Sequence, residues 1–273
     1  MSTAVIPAHA TSTAPQIRLW ANEVGKGLRL AKRRWAMAVV GMLMNAAVYL
    51  GVNFFIGGGH VVEDLMIRTL PALMAVVIAA ALAVEGAGGI AEEINGGTLE
   101  QTQLSPITAI TSVLGRVTAL ALQGMAAAAV LWIGFVAAFG LQYAPHPSAI
   151  VPALLTLLDA MGYGLLIVAM TVRVASIGAI THVFNMVIMF FGGMIVPISV
   201  FPDALEAAAR LIPTAVGVQA LNTTLAGEPL SAAWADGTLP LLLVHTTVFV
   251  AIGLTVYARN IRKAKSEGGV SPR

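Results

Sequence analysis

The chain has 273 residues, 58% of them hydrophobic and only 10% charged, with a formal net charge of +2. A soluble domain carries about 25% charged residues, so a water-facing surface is excluded for most of this protein and lipid must be its solvent. The sequence holds no cysteine, which rules out a disulfide framework and a thiolate metal site.

In chain order, residues 1–15 are rich in Ala, Thr and Pro and lack a basic stretch leading into an apolar core. They read as a disordered tail rather than a cleavable signal peptide. Across Gln16–Trp35, the residues Ile17, Trp20, Val24, Leu28, Ala31 and Trp35 recur at spacings of three and four, which is one helical face. Arg18, Lys26, Arg29, Lys32 and Arg33 fall mostly off it. This predicts an amphipathic helix in the headgroup layer, either a plain cationic anchor or an elbow that also borders a cytoplasmic partner.

Six apolar segments are long enough to cross about 30 Å of hydrocarbon. They are Ala36–Ile56, Met66–Val84, Val113–Gly140, Ile150–Val172, Ala175–Val196 and Leu239–Tyr257. Pro71, Pro152 and Pro240 are expected in the first turns of their spans, where a missing N–H costs nothing. With both termini inside, thirteen of the Lys and Arg residues fall on the cytoplasmic side, and only Arg68 and Arg210 fall outside. That bias fixes the orientation, and residues 259–273 become a basic cytoplasmic tail.

Between the second and third spans lies an acidic, polar insert, Glu92–Pro106. Asn95-Gly96-Gly97 signals a turn, Thr98 suits a helix cap, and Ser105-Pro106 suits a helix end. The glycines of Glu85-Gly86-Ala87-Gly88-Gly89 before it allow close helix approach or a break. The insert is an ordinary solvated loop or a compact helix that a cytoplasmic partner grips. Residues 197–237 form a second polar segment. Asp203 suits the cap of a helix to Leu211 that Pro213 stops, and Thr214 suits the cap of another to Ala226, with Gly227 beyond. Leu205, Ala208 and Ile212 form one apolar face; Val218, Leu221 and Leu225 form another. Helices this short either enter the leaflet packed against protein or rest on the headgroups.

Polar residues within the spans stand out in turn. Asp159 is mid-span, where a charge costs about 2.5–3.5 kcal/mol on insertion scales. It lines a translocation path or hydrogen-bonds a neighbouring helix. His182 and His245 read first as interhelical hydrogen-bonding residues and second as substrate contacts, and Met189 as packing or an adaptable substrate-facing surface. Gly162 and Gly164 permit close helix packing. No G-x-x-x-x-G-K-[ST] occurs, so any ATPase must be a separate polypeptide. No H-E-x-x-H occurs, and neither Ser176 with His182 nor Ser199 with His245 has a nucleophile motif around it, which weighs against an intramembrane hydrolase. An ion-gradient-driven secondary transporter is the main alternative to an ATP-driven one. The halves of the chain show no inverted repeat to support it.

The insert resembles the first cytoplasmic loop of ABC-2 type permeases, the membrane subunits of bacterial ABC exporters. Glu93, Gly97, Thr98, Leu99, Glu100, Ser105 and Pro106 stand at the places of an E-x-x-x-G-T-L-E-x-x-x-x-S-P pattern, with Glu92 beside them. Gly192-Gly193-Met194-Ile195-Val196-Pro197-Ile198-Ser199, followed by Phe201-Pro202 and Ile212-Pro213-Thr214, resembles the family's outer re-entrant helices. The double glycine Gly96-Gly97 departs from the pattern. The resemblance implies an all-α integral membrane protein of six transmembrane helices, with one transmembrane domain over 16–258. An N-terminal interfacial helix and an extracellular re-entrant hairpin between spans five and six complete it. It implies a non-enzymatic export subunit in the bacterial cytoplasmic membrane, with 92–106 as the coupling helix. Two copies of an ABC ATPase would bind ATP and Mg, and a second permease chain, identical or similar, would complete the path. Asp159, His182, Met189 and His245 are the translocation-path candidates. Drugs, lipids and glycans all fit as substrates, and nothing points to nucleic acid.

Overall fold

The structure is a computed structural model that describes residues 13–97, 107–173 and 177–266. Every regular element among these residues is helical. Five segments are long and apolar enough to cross a membrane: Trp35–Ile56 (α2), Glu63–Asn95, Ala109–Phe139 (α5), Pro147–Thr171 and Thr238–Ala264. A further helix, α1 (Thr13–Arg33), precedes them.

The second segment differs from its sequence expectation. It does not end near Val84. Helix α3 (Glu63–Ala80) passes through one π-helical turn, Ala81–Glu85, into α4 (Gly86–Asn95). The glycines do not break it because this length is packed: Ala87, Ile90 and Ile94 are buried, and a side chain at Gly86 would collide with Val168. Burial outweighs the cost of roughly 1 kcal/mol that a helical glycine carries. The continuous segment is about 50 Å long, well beyond a hydrocarbon core.

Pro71 is likewise deeper than expected, nine residues into α3. A proline there leaves the carbonyl of Ile67 without its helical donor. The Tyr143 hydroxyl supplies one at 3.0 Å. Pro152 and Pro240 do occupy first turns, of α6 (Ile150–Thr171) and of α11 (Thr238–Ser266).

The expected fifth span, Ala175–Val196, contributes a described helix of 15 residues, α7 (Ile177–Phe191), about 22 Å long. It ends at Gly192-Gly193, with Gly193 at φ +91° packed beside Ala72 of α3. Three short helices follow: α8 (Asp203–Ala209), α9 (Ala215–Leu225) and α10 (Leu230–Ala235). The third has no counterpart in the sequence reading, and Pro202, not Asp203, occupies the cap position of α8.

The long helices from α2 to α7 alternate in direction, which gives the molecule a basic end, holding Arg34, Arg116 and Arg262, and a hairpin end, holding the 140–146 loop and α8–α10. One apolar core fills the hairpin half around Leu70, Leu73, Ile167 and Met194; a second fills the basic half around Ile90, Val117, Tyr257 and Ile261. Parallel helices α6 and α11 form the tightest pair. A side chain at Gly162 would stand 2.8 Å from the Val250 backbone nitrogen, and one at Gly164 would stand 2.6 Å from Leu82 Cβ. Helix α2 is the opposite case. Only Tyr49 and Asn53 are buried in it, while Met37, Leu43 and Phe55 are largely exposed. It is anchored by the Tyr49 hydroxyl, which lies 2.9 Å from Thr69 Oγ1 and donates to the Met66 carbonyl.

Candidate functional site

At the basic end, α4 and α5 form the two legs of the polar insert. Glu93 on one leg and Arg116 on the other make an ion pair, both half-buried. Glu92 pairs with Arg34, at the junction of α1 and α2, at 2.9 Å. Gln123 of α5 donates to Glu85 at 2.6 Å. These contacts tie the end of α4 to α5 on one side and to the α1–α2 corner on the other. Gly97, at φ +65°, ends the helix and turns the chain away. Thr98, Leu99, Glu100, Ser105 and Pro106 lie outside the described residues.

Helix α1 lies against α5. Gln16 accepts from the Thr111 hydroxyl at 2.9 Å, Glu23 sits over Gly115, and Gly27 sits over Ala119. The order of these contacts makes the two helices run in the same direction. Gln16, Glu23 and Gly27 of α1 face protein, while Ile17, Trp20 and Leu28 remain exposed together with most of the charged residues of the helix. A groove of about 290 Å³ separates α1 from α4.

Mid-bundle, Asp159 is fully buried. Its Oδ1 lies 2.8 Å from His245 Nδ1, and its Oδ2 accepts from the Thr214 backbone N–H at 2.7 Å. His245 Nε2 lies 3.2 Å from the Leu211 carbonyl oxygen. A carbonyl only accepts, so Nε2 carries a hydrogen. One further proton lies between Nδ1 and Oδ1, and the pair is neutral overall on whichever atom that proton resides. Thr214 is the single non-glycine among the described residues at positive φ, +70°. It serves α9 through its backbone carbonyl, which accepts from the Val218 N–H at 2.9 Å, and makes no side-chain cap, contrary to the sequence expectation. Asp159 stands nine residues, about 13 Å, from the start of α6, and His245 stands seven residues from the start of α11. The 211–214 turn is therefore held well inside the bundle. From it α9 runs back to the level of the 140–146 loop, where the carbonyls of Thr224 and Leu225 accept from His146 and Ala144.

The four translocation-path candidates do not converge. Asp159 and His245 meet each other, Met189 packs against the hairpin-half core, and His182 is exposed on α7 beside Val183 and Met186. None of the four lines the larger cavity. That cavity, about 700 Å³, opens at the hairpin end between the start of α3, the 142–144 loop, the 192–199 stretch, α8 and α9. Arg68, Arg210 and Gln219 line it, and the sequence reading had not singled them out as a site. Three amide or guanidinium side chains on three separate elements leave no periodic signal; the one clue was that Arg68 and Arg210 are the two cations assigned to the outside.

Long apolar helices with polar groups gathered at both ends define a multi-pass membrane protein. The sequence profile of the ABC-2 family transporter proteins matches residues 45–255, and the chain belongs to that family. It is thereby a membrane permease of the ABC exporter kind, a transport subunit that works with an ATPase subunit. No curated protein matches the chain in sequence.

Proposed function

We propose that this chain is the permease subunit of an ATP-driven ABC-2 exporter of the bacterial cytoplasmic membrane. It moves a drug-, lipid- or glycan-type substrate outward by alternating access. The basic end is cytoplasmic, as are both termini, and α7 with the stretch beyond it makes the fifth of six spans. Residues 197–237 form the outer re-entrant hairpin. Two such permease chains, identical or similar, assemble with two ATPase subunits, which bind the ATP and Mg.

The observation that carries this reading is the braced stem at the basic end. The Glu93–Arg116 pair joins the two legs of the 92–106 segment, and Glu92–Arg34 joins that stem to the α1–α2 corner. A segment mounted on a braced stem passes a displacement to the spans, whereas one on a slack loop absorbs it. The ATPase must hold the segment differently in its two nucleotide states, or no work is transmitted. Thr98, Leu99, Glu100, Ser105 and Pro106 are assigned to the docking face, and Glu92, Glu93 and Gly97 to the stem that presents it.

The test is reconstitution of the permease with its ATPase in vesicles, comparing Glu100→Lys with the unmodified protein. The expected result is normal membrane insertion with loss of ATP-dependent export. Full export by the variant, or export that runs on an ion gradient without ATP, overturns the assignment.

A further inference from the structure

We propose that the cavity at the hairpin end binds the headgroup of an ethanolamine phospholipid, with its phosphate on Arg68 and Arg210 and its ammonium on Asp64 and Gln219. The cavity's charges come from Asp64, Glu206 and Asp236 against Arg68 and Arg210. Two of these carboxylates are already engaged. Glu206 accepts from Arg210 Nη2 at 2.8 Å, and Asp236 Oδ1 accepts from the Thr238 backbone N–H and hydroxyl.

Four groups are left over, two of each kind. Arg68 makes no ion pair among the described residues. The Nε of Arg210 is buried without an acceptor. Asp64 is one turn before Arg68 on α3 and makes no ion pair either. The Oε1 of Gln219 is buried without a donor. Arg210 Nε and Gln219 Oε1 are buried polar atoms whose lack of a partner costs free energy, and Arg68 and Asp64 line the same cavity as exposed charges, so a ligand that matches all four is favoured.

The chemistry of that ligand follows. Two cationic donors call for an anion with several acceptor oxygens, and a phosphate fits a guanidinium fork. A carboxylate and an amide oxygen call for a cation that carries N–H. A primary ammonium has three such donors, and a choline head has none. A purely anionic head leaves Asp64 facing like charge. The lipid source follows from position. The cavity begins at the first turns of α3 and is also lined by Ile67, Ile198, Val218 and Leu225, so a headgroup enters with apolar wall beside its chains.

The experiment uses the purified, delipidated full-length chain in detergent, mixed with dioleoyl phosphatidylethanolamine, phosphatidylcholine or phosphatidylglycerol and read by native mass spectrometry. The expected result is preferential retention of phosphatidylethanolamine, falling about tenfold in Arg68→Gln and in Asp64→Asn, each one charge-assisted contact removed. Both substitutions are at exposed positions that leave the fold intact, so a folding failure of an Arg210 variant does not block the test. Equal retention of the three lipids overturns the proposal, as does preference for phosphatidylglycerol or retention indifferent to both substitutions. Displacement of the lipid by millimolar soluble phosphoethanolamine overturns the lipid source. The measurement needs no ATPase, so its failure leaves the exporter reading standing, and the reverse also holds.

Discussion

Removal of the His245 imidazole is the sharpest perturbation available. In His245→Ala, Asp159 remains fully buried and keeps the Thr214 N–H but loses its Nδ1 partner. Breaking a buried pair on one side costs about 3–5 kcal/mol, because the remaining charge is uncompensated. Asp159→Ala loses a similar amount by leaving His245 Nδ1 and the Thr214 N–H both unmatched. Asp159→Asn behaves otherwise. The amide oxygen accepts from Thr214, the amide nitrogen donates to Nδ1 of a neutral His245, and Nε2 still donates to Leu211, so the loss is about 1 kcal/mol. The double variant Asp159→Ala, His245→Ala costs less than the sum of its parts, since each change removes the group the other strands. Unfolding by SDS titration in mixed micelles, together with abundance in the membrane, reads all four. An Asp159→Asn variant as unstable as Asp159→Ala, or a His245→Ala variant within 1 kcal/mol of the unmodified chain, refutes the reasoning.

Three further outcomes are expected. Glu93→Arg lowers membrane abundance by stranding half-buried Arg116, and the swap Glu93→Arg with Arg116→Glu restores it, as immunoblots of membrane fractions will show. Tyr143→Phe costs about 1 kcal/mol by orphaning the Ile67 carbonyl, and Pro71→Ala in the same chain recovers most of that by returning the helical N–H. Burial pushes the Tyr143 phenol up, so the hydroxyl stays a donor throughout the accessible pH range and the effect is independent of pH. Gly162→Val forces a side chain against the α11 backbone 2.8 Å away and costs about 3 kcal/mol or more, measured by the same SDS titration.

Apolar length and the placement of Lys and Arg carried the helical class, the places of five long apolar segments and the division into two ends, because both are local sums along the chain. Contacts between distant helices are not such sums. Nothing local near Asp159 names His245, 86 residues away, or the backbone of Thr214. Depth does hold a clue. Asp159 and His245 lie nine and seven residues into helices that start at the same end, so counting from the helix starts brings them level. The acidic insert was visible as an anomaly of composition, yet its braces were not, since Arg34 and Arg116 read as two more basic flanks. For the glycines at 86, 88 and 89 the sequence left close helix approach and a break both open, and Gly86 packed against Val168 takes the first. Their cost is intrinsic and legible, while the burial of Ile90 and Ile94 that overrides it belongs to the tertiary structure.

The Pro71 site bears on biogenesis. The Ile67 carbonyl takes its donor from a residue 76 positions downstream, in the connection after the next span. When the second span first enters the bilayer during synthesis, that donor has not yet been translated. The span therefore waits in an incomplete state, shielded by water or by the insertion machinery, until the following hairpin arrives and seals it.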